Sequence, residues 1–478
     1  MRARRTLSLT AGLAALTAVP VLAPATTATA SPASPAAAAV QTPAQAAQSA
    51  YDRLTTAQRI GQLFMVGGPA TGLGATTESI ITRYHVGNVV LTGRATSGAA
   101  PVRVVTSRAG TLATSAATGD VPLLVAADQE GGYVQVLQGT GFSRMPTALT
   151  QGTWSDATLS TNAGLWGRQV MRSGTDVDLA PVMDTVSKTF ASSNQPIGRY
   201  QREYGYTTSV VADKGTTFLS AMRASGLAMT AKHFPGLGRV TGNTDVTAGV
   251  TDTVTTRTSA DVTPFKAAVA AGARVLMLSS AYYRKIDAAR PAVFSPTVIG
   301  GMVRTDLRFT GIVMSDDLGN AYQVHNWTPA ARAVDFFSAG GDMLLTVTPT
   351  VVPAMVSAVS ARAASDATFR AKVKTAVLRV LTVKAELGLL APRLPITGYF
   401  GPLTTASLRR WLNLPTAGAF DTQTVRVLQY RLSTTVDGVF GARTVAALQS
   451  YLGISRDGAT GWNARTVAQL QRYLNTQL

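Results

Sequence analysis

Three short segments carry side chains that can do chemistry. Lys232-His233-Phe234-Pro235-Gly236 follows the apolar run 227–231, so a cation and an imidazole stand where a strand ends. Further on, the run 311–314 meets Ser315-Asp316-Asp317-Leu318. Earlier, 121–127 runs into Asp128-Gln129-Glu130-Gly131-Gly132. Cleaving a glycosidic bond needs one carboxylate at the anomeric carbon and one proton donor at the leaving oxygen, with polar groups to hold the sugar. The three segments contain those residue types.

The elements that position them alternate. Apolar runs at 62–67, 86–91, 121–127, 177–183, 227–231, 273–279, 311–315 and 342–347 are separated by helix-like segments such as 161–173, 210–225, 262–271 and 328–339. Runs that are continuously apolar predict strands buried on both faces, as in a parallel sheet flanked by helices. Eight such units predict an α/β fold, a (β/α)8 TIM-type barrel over 51–390, with chemistry at the C-terminal strand ends. Asp128, Asp184, His233 and Asp316 fall there.

In order and spacing, the three segments resemble those of glycoside hydrolase family 3 over roughly residues 54–389. The resemblance implies that Asp316 is a nucleophile, and Asp317 is the better candidate for a strand-end carboxylate that caps a following helix. The resemblance also implies that Lys232 and His233 hydrogen-bond sugar hydroxyls and that Asp128 holds others. Asp184 is divided between touching substrate and orienting Lys232 or an arginine. Arg202-Glu203-Tyr204-Gly205 resembles the family's Arg-x-Phe-Gly, which favours Arg202 over Arg199 as the substrate-facing arginine.

The proton donor departs from the pattern. Family members acting as β-N-acetylglucosaminidases continue Lys-His-Phe-Pro-Gly-His-Gly and carry an Asp-Ser-His on a mobile loop. Here Leu237 replaces the first of those histidines and the later positions read Asn243-Thr244-Asp245. Three readings stay open: Asp245 as the acid, its pKa raised by a closing apolar site; His325 as a substitute; or a barrel that binds without turnover. Asp245 is the favoured donor. The resemblance implies a retaining β-N-acetylhexosaminidase-like hydrolase, with a β-glucosidase or β-xylosidase of the same family, or an inactive wall-binding barrel, as alternatives. No cofactor is expected, and the three histidines lack metal-ligand spacing.

Arg2, Arg4 and Arg5 precede an apolar stretch, and Ala28-Thr29-Ala30 offers a small-x-small cleavage site, which predicts a signal peptide over 1–30. An Ala/Pro/Gln/Ser-rich linker is expected over 31–50. The expected product is secreted, extracellular or cell-wall associated, without a transmembrane segment after cleavage, and a monomer. The net charge of +18 comes with only 14% charged residues and no basic block beyond the signal, a distribution unsuited to nucleic acid.

From 391 to 478, Gly398, Gly418, Gly438 and Gly458 recur every 20 residues, and Asp437-Gly438-Val439-Phe440-Gly441-Ala442-Arg443-Thr444 is the fullest copy. Each unit reads as a turn, a Thr able to cap, and a short helix, giving a small all-α repeat domain. The pattern resembles peptidoglycan-binding modules. Nine Arg against three Asp, with no Lys or Glu, suits an anionic wall. Trp411, Tyr451 and Trp462 are candidates for sugar stacking or for helical core.

Overall fold

The apolar runs are continuous because each strand faces two cores. The computed structural model describes residues 41–390, 394–412, 414–415 and 418–475. Eight parallel strands form one sheet: β1 (Phe64–Pro69), β2 (Asn88–Thr92), β3 (Leu124–Ala127), β4 (Val177–Asp178), β5 (Ala228–Phe234), β6 (Val275–Leu278), β7 (Ile312–Ser315) and β8 (Leu344–Thr346). β1 pairs with β8, and the parallel bridge Met314 to Met343 closes the barrel between β7 and β8. Alternate residues split between two cores. Met65, Val90, Leu124, Val275, Met277, Ile312 and Met314 fill the barrel, while Phe64, Val66, Val89, Val125, Leu276 and Val313 pack outward beneath the helices.

Each expected strand exists, but β4 is shorter than its run. Regular pairing stops at Asp178. The chain then follows β5 through single contacts, Thr230 N–H to Ala180 O at 2.9 Å and Lys232 N–H to Pro181 O at 3.2 Å. Pro181 has no N–H to add to a ladder.

The bottom of the barrel is closed by the helix Ala367–Glu386. Its Lys384 is buried, and Nζ donates to Gln62 Oε1, Gly87 O and Pro122 O at 2.7, 2.9 and 2.8 Å. Burial pulls this lysine down to about 7.

The expected linker is corrected in its last part. Pro43–Arg53 is an α-helix with a Thr42/Gln45 capping box, and it packs on Ala367–Glu386 with Ala47 and Ala50 buried. Alanine-rich sequence without a long apolar period still makes a helix when its small face meets another helix. The expected signal peptide and the linker as far as residue 40 lie outside the described residues. Among the described residues no helix is long and apolar enough to cross a membrane.

Four helices, Pro402–Trp411, Thr422–Arg431, Ala442–Tyr451 and Ala464–Asn475, account for the 20-residue repeat. They belong to the same compact unit as the barrel, which Arg410 contacts through Gly388 O. The repeat's threonines are not caps: Asp421 and Asn463 cap two of the helices. Thr404, Thr424, Thr444 and Thr466 are instead buried receivers for a side chain of the preceding unit.

Arg409 bonds Thr424, while Gln429 donates to Thr444, Gln449 to Thr466 and Gln471 back to Thr404, the last three at 2.9, 2.9 and 3.0 Å. One equivalent position thus closes a ring of four units. Leu408, Leu428, Leu448 and Leu470 are fully buried within it.

Candidate active site

The loops leaving β3, β4 and β5 are joined by one charge network. Lys232 Nζ lies 2.5 Å from Asp128 Oδ1 and 2.6 Å from Glu130 Oε1. Arg202 grips Glu130 with two parallel bonds, 2.7 and 2.9 Å, and donates to Pro196 O at 2.8 Å. Glu130 and Lys232 are buried, whereas Asp128 keeps 32% of its side-chain surface open. Burial alone would raise Glu130, but Arg202 and Lys232 outweigh it and hold the carboxyl at about 2. Burial would lower Lys232, yet Asp128 and Glu130 push it up to about 12. Glu130 and Lys232 therefore stay charged across the physiological range.

His233 is positioned by Asp184. Its Nδ1 stands 2.7 Å from Asp184 Oδ2, and the His233 and Leu237 backbone N–H groups donate to the same carboxylate. Asp184 is completely buried, which corrects its expected place on substrate: it orients the imidazole and the turn behind it, and its charge also acts on Arg202. Nε2 is left 3.5 Å from Arg202 Nη2.

The turn at 236–240 is tied down further. Tyr283 Oη donates to Gly236 O at 2.8 Å, and Asn194 Nδ2 donates to Leu237 O and Val240 O, each at 2.8 Å. Gly238 permits this descent, because a Cβ there would come within 1.8 Å of Thr185 O.

Asp316 follows β7 at the same end of the barrel. Its Oδ1 accepts the Asp317 N–H at 2.9 Å, and among the described residues no cation pairs with it. Asp317 takes the loop-organising role, accepting the N–H groups of Gly319, Asn320 and Val347.

The loop carrying Asp245 is stitched to the loop of Asp316. Tyr322 N–H donates to Asp245 O at 3.1 Å and Gln323 N–H to Thr244 O at 3.0 Å, while the Gln323 side chain bonds both backbone groups of Val250. Asp245 remains accessible to solvent, as a group lining an open mouth does, yet protein crowds its carboxyl enough to strip much of its hydration. That burial, then the charges of Asp316 and Asp317, push it up to about 6, against the pull of His233 and Arg202.

Asp128, Arg202, Lys232, His233, Asp245 and Asp316 thus converge on one mouth, with Asp184 buried behind His233. Arg199 lies exposed on a short turn. His325 is also exposed, with Nε2 held by Asn320 O at 3.0 Å, and its ring packs on Tyr322. Sequence reasoning missed Glu130, Asn194 and Gln323 as positioning groups. Glu130 had a signal, standing two residues after Asp128 in the same motif. The other two act through loop folding and had none.

Comparison with known proteins bears on this arrangement. The model described as "Glycosyl hydrolase family 3 N terminal domain" matches residues 55–383. A structure described as a β-N-acetylhexosaminidase from Beutenbergia cavernae shares 47% identity at TM-score 0.69, covering 70% of this chain and 99% of that one. A family 3 β-N-acetylglucosaminidase from Paenibacillus sp. shares 27% identity at TM-score 0.64, covering 72% of this chain and 64% of that one. A β-hexosaminidase of Stenotrophomonas maltophilia is 33% identical over 254 residues, which span 52% of this chain and 73% of that protein.

Proposed function

The chain belongs to glycosyl hydrolase family 3 and acts on O-glycosyl bonds, and from that premise we propose that it is a retaining β-N-acetylhexosaminidase in which Asp316 is the nucleophile and Asp245 the acid. The observation that carries the pairing is the stitching of the Asp245 loop to the Asp316 loop through Tyr322 and Gln323. Two carboxyls on adjoining loops, one without a cation and one held near neutrality, are the opposed pair such chemistry needs.

In the first step an Asp316 oxygen bonds to the anomeric carbon as the glycosidic C–O bond breaks, and the Asp245 proton passes to the leaving oxygen. In the second step Asp245, now a carboxylate, takes a proton from water. The water oxygen bonds to the anomeric carbon, and the ester to Asp316 breaks. A pKa of about 6 suits a group that must give and then take a proton. Asp128, Lys232, Arg202 and His233 hold the sugar hydroxyls. The N-acetyl preference rests on the descriptions of the relatives.

The proposal extends to an exported enzyme acting on GlcNAc-containing cell-wall glycans, with the repeat module binding peptidoglycan. The module's excess of arginine over aspartate and its resemblance to wall-binding repeats support that reading. Hydrolysis of a chromogenic GlcNAc glycoside, set against its glucose and xylose analogues, tests the sugar. Preference for glucose or xylose would move the enzyme within the family, and no turnover of any would leave a binding barrel.

A further inference from the structure

A glycosidase must seat the group it expels as well as the sugar it keeps, and Tyr322 is tied to the loop of the proposed proton donor. Its backbone N–H holds the Asp245 carbonyl at 3.1 Å, so the residue is fixed to the proposed proton donor. Its side chain is 52% exposed although it opens a turn whose next two residues, Gln323 and Val324, are buried. The ring packs at a tilt against the His325 imidazole, with centroids 5.0 Å apart and planes 51° apart, and that imidazole is held in turn by Asn320 O at 3.0 Å. Val246, next to Asp245, is 70% exposed. A half-exposed aromatic ring thus stands on the segment bonded to the Asp245 loop, which also carries an exposed valine.

We infer that Tyr322, buttressed by His325, is the platform on which the leaving-group sugar stacks. The inference rests on Asp245 being the donor. The glycosidic oxygen must lie within hydrogen-bond reach of the Asp245 carboxyl, so the sugar beyond that oxygen has to cover the surface flanking Asp245. The C–H face of a pyranose is apolar and flat, which suits an aromatic face, whereas the carboxylates and cations deeper in the mouth suit hydroxyls. Tyrosine presents a rigid apolar body with little rotamer entropy to lose on binding. His325 is thereby a support for the ring and not a proton source.

The test compares the GlcNAc-β-1,4-GlcNAc disaccharide with methyl β-GlcNAc glycoside, using the full chain. Both expel an alcohol and need the acid, and only the first has a second sugar to stack. Tyr322→Ala is expected to lower the ratio of kcat/KM for the disaccharide over the methyl glycoside by about three- to tenfold, the worth of one aromatic contact. Tyr322→Phe keeps the ratio, and His325→Ala lowers it in the same direction. An unchanged ratio in Tyr322→Ala, with Asp245→Ala slow on both substrates, overturns the platform alone. If Asp245→Ala hydrolyses both substrates like the wild type, the donor and the platform fall together.

Discussion

Glu130 and Arg202 meet through two parallel hydrogen bonds at 2.7 and 2.9 Å, with only 3% of the Glu130 side chain exposed. The same carboxylate receives Lys232. It therefore fixes both cations of the proposed sugar site without needing to touch the sugar. Breaking a buried pair from one side strands its partners, at a cost of about 3 to 5 kcal/mol.

Glu130→Gln should accordingly lower the melting temperature and raise KM more than it lowers kcat. The pH dependence has a definite sign. The folded state holds Glu130 at about 2, below its ordinary 4.5, so the contribution is present above 4.5 and lost as pH falls through about 2. The stability gap between wild type and variant should close over that window. A gap that persists unchanged through it would mean that the charge is not what the variant removed.

Asp245 makes a prediction about rate. The acid must be protonated, so kcat/KM should fall along a basic limb as pH rises through about 6. In Asp245→Ala, measured with an activated aryl glycoside that scarcely needs a proton, that limb should vanish. Substrates with poor leaving groups should lose about 10² to 10⁴ in rate. If the limb survives in Asp245→Ala, or if His325→Ala abolishes it, another group is the donor.

Much of the barrel was legible because its signal is local and redundant. Eight apolar runs with polar strand ends leave few alternatives once a parallel sheet buries both faces of each strand. The site residues were legible where a motif held them next to a strand. Asp184 was placed but misread: its partner is an imidazole and two backbone N–H groups contributed by β5 and the turn after it, a relation no spacing in the chain displays. The Pro43–Arg53 helix was lost because its helical face is alanine, which carries little hydrophobic period. In the repeats, the period revealed four units, but the threonines are internal receivers because Gln or Arg of the preceding unit reaches them across 15 or 17 residues.

The repeat module carries a prediction about retention. Trp411, Tyr451 and Trp462 are occupied with neighbouring rings. Trp411 packs on Tyr451 and Tyr473, and Trp462 stacks on Phe400 at 3.9 Å. Tyr399 and Tyr430, 71% and 72% exposed, are the most exposed aromatic side chains among the module's described residues.

Residues 31–390 should keep the full chain's kinetics on a small soluble substrate, since the mouth is formed without the repeats. The shorter protein should sediment less with insoluble peptidoglycan, because a linked binding module raises effective concentration. Salt should weaken the charge-dependent part of the full chain's retention. The Tyr399→Ala, Tyr430→Ala double variant should weaken the part that salt leaves. Equal retention of both proteins at low and high salt would show that the repeats do not target the enzyme.

The account turns on which oxygen bonds to the sugar. A slow fluorinated GlcNAc-type glycoside should inactivate the wild-type enzyme in step with release of one equivalent of leaving group. Peptide mass spectrometry should then place the sugar on Asp316, and Asp316→Asn, nearly isosteric but unable to form the ester, should fold normally and take up no label. A sugar found on Asp317, or turnover without any covalent intermediate, would contradict the account.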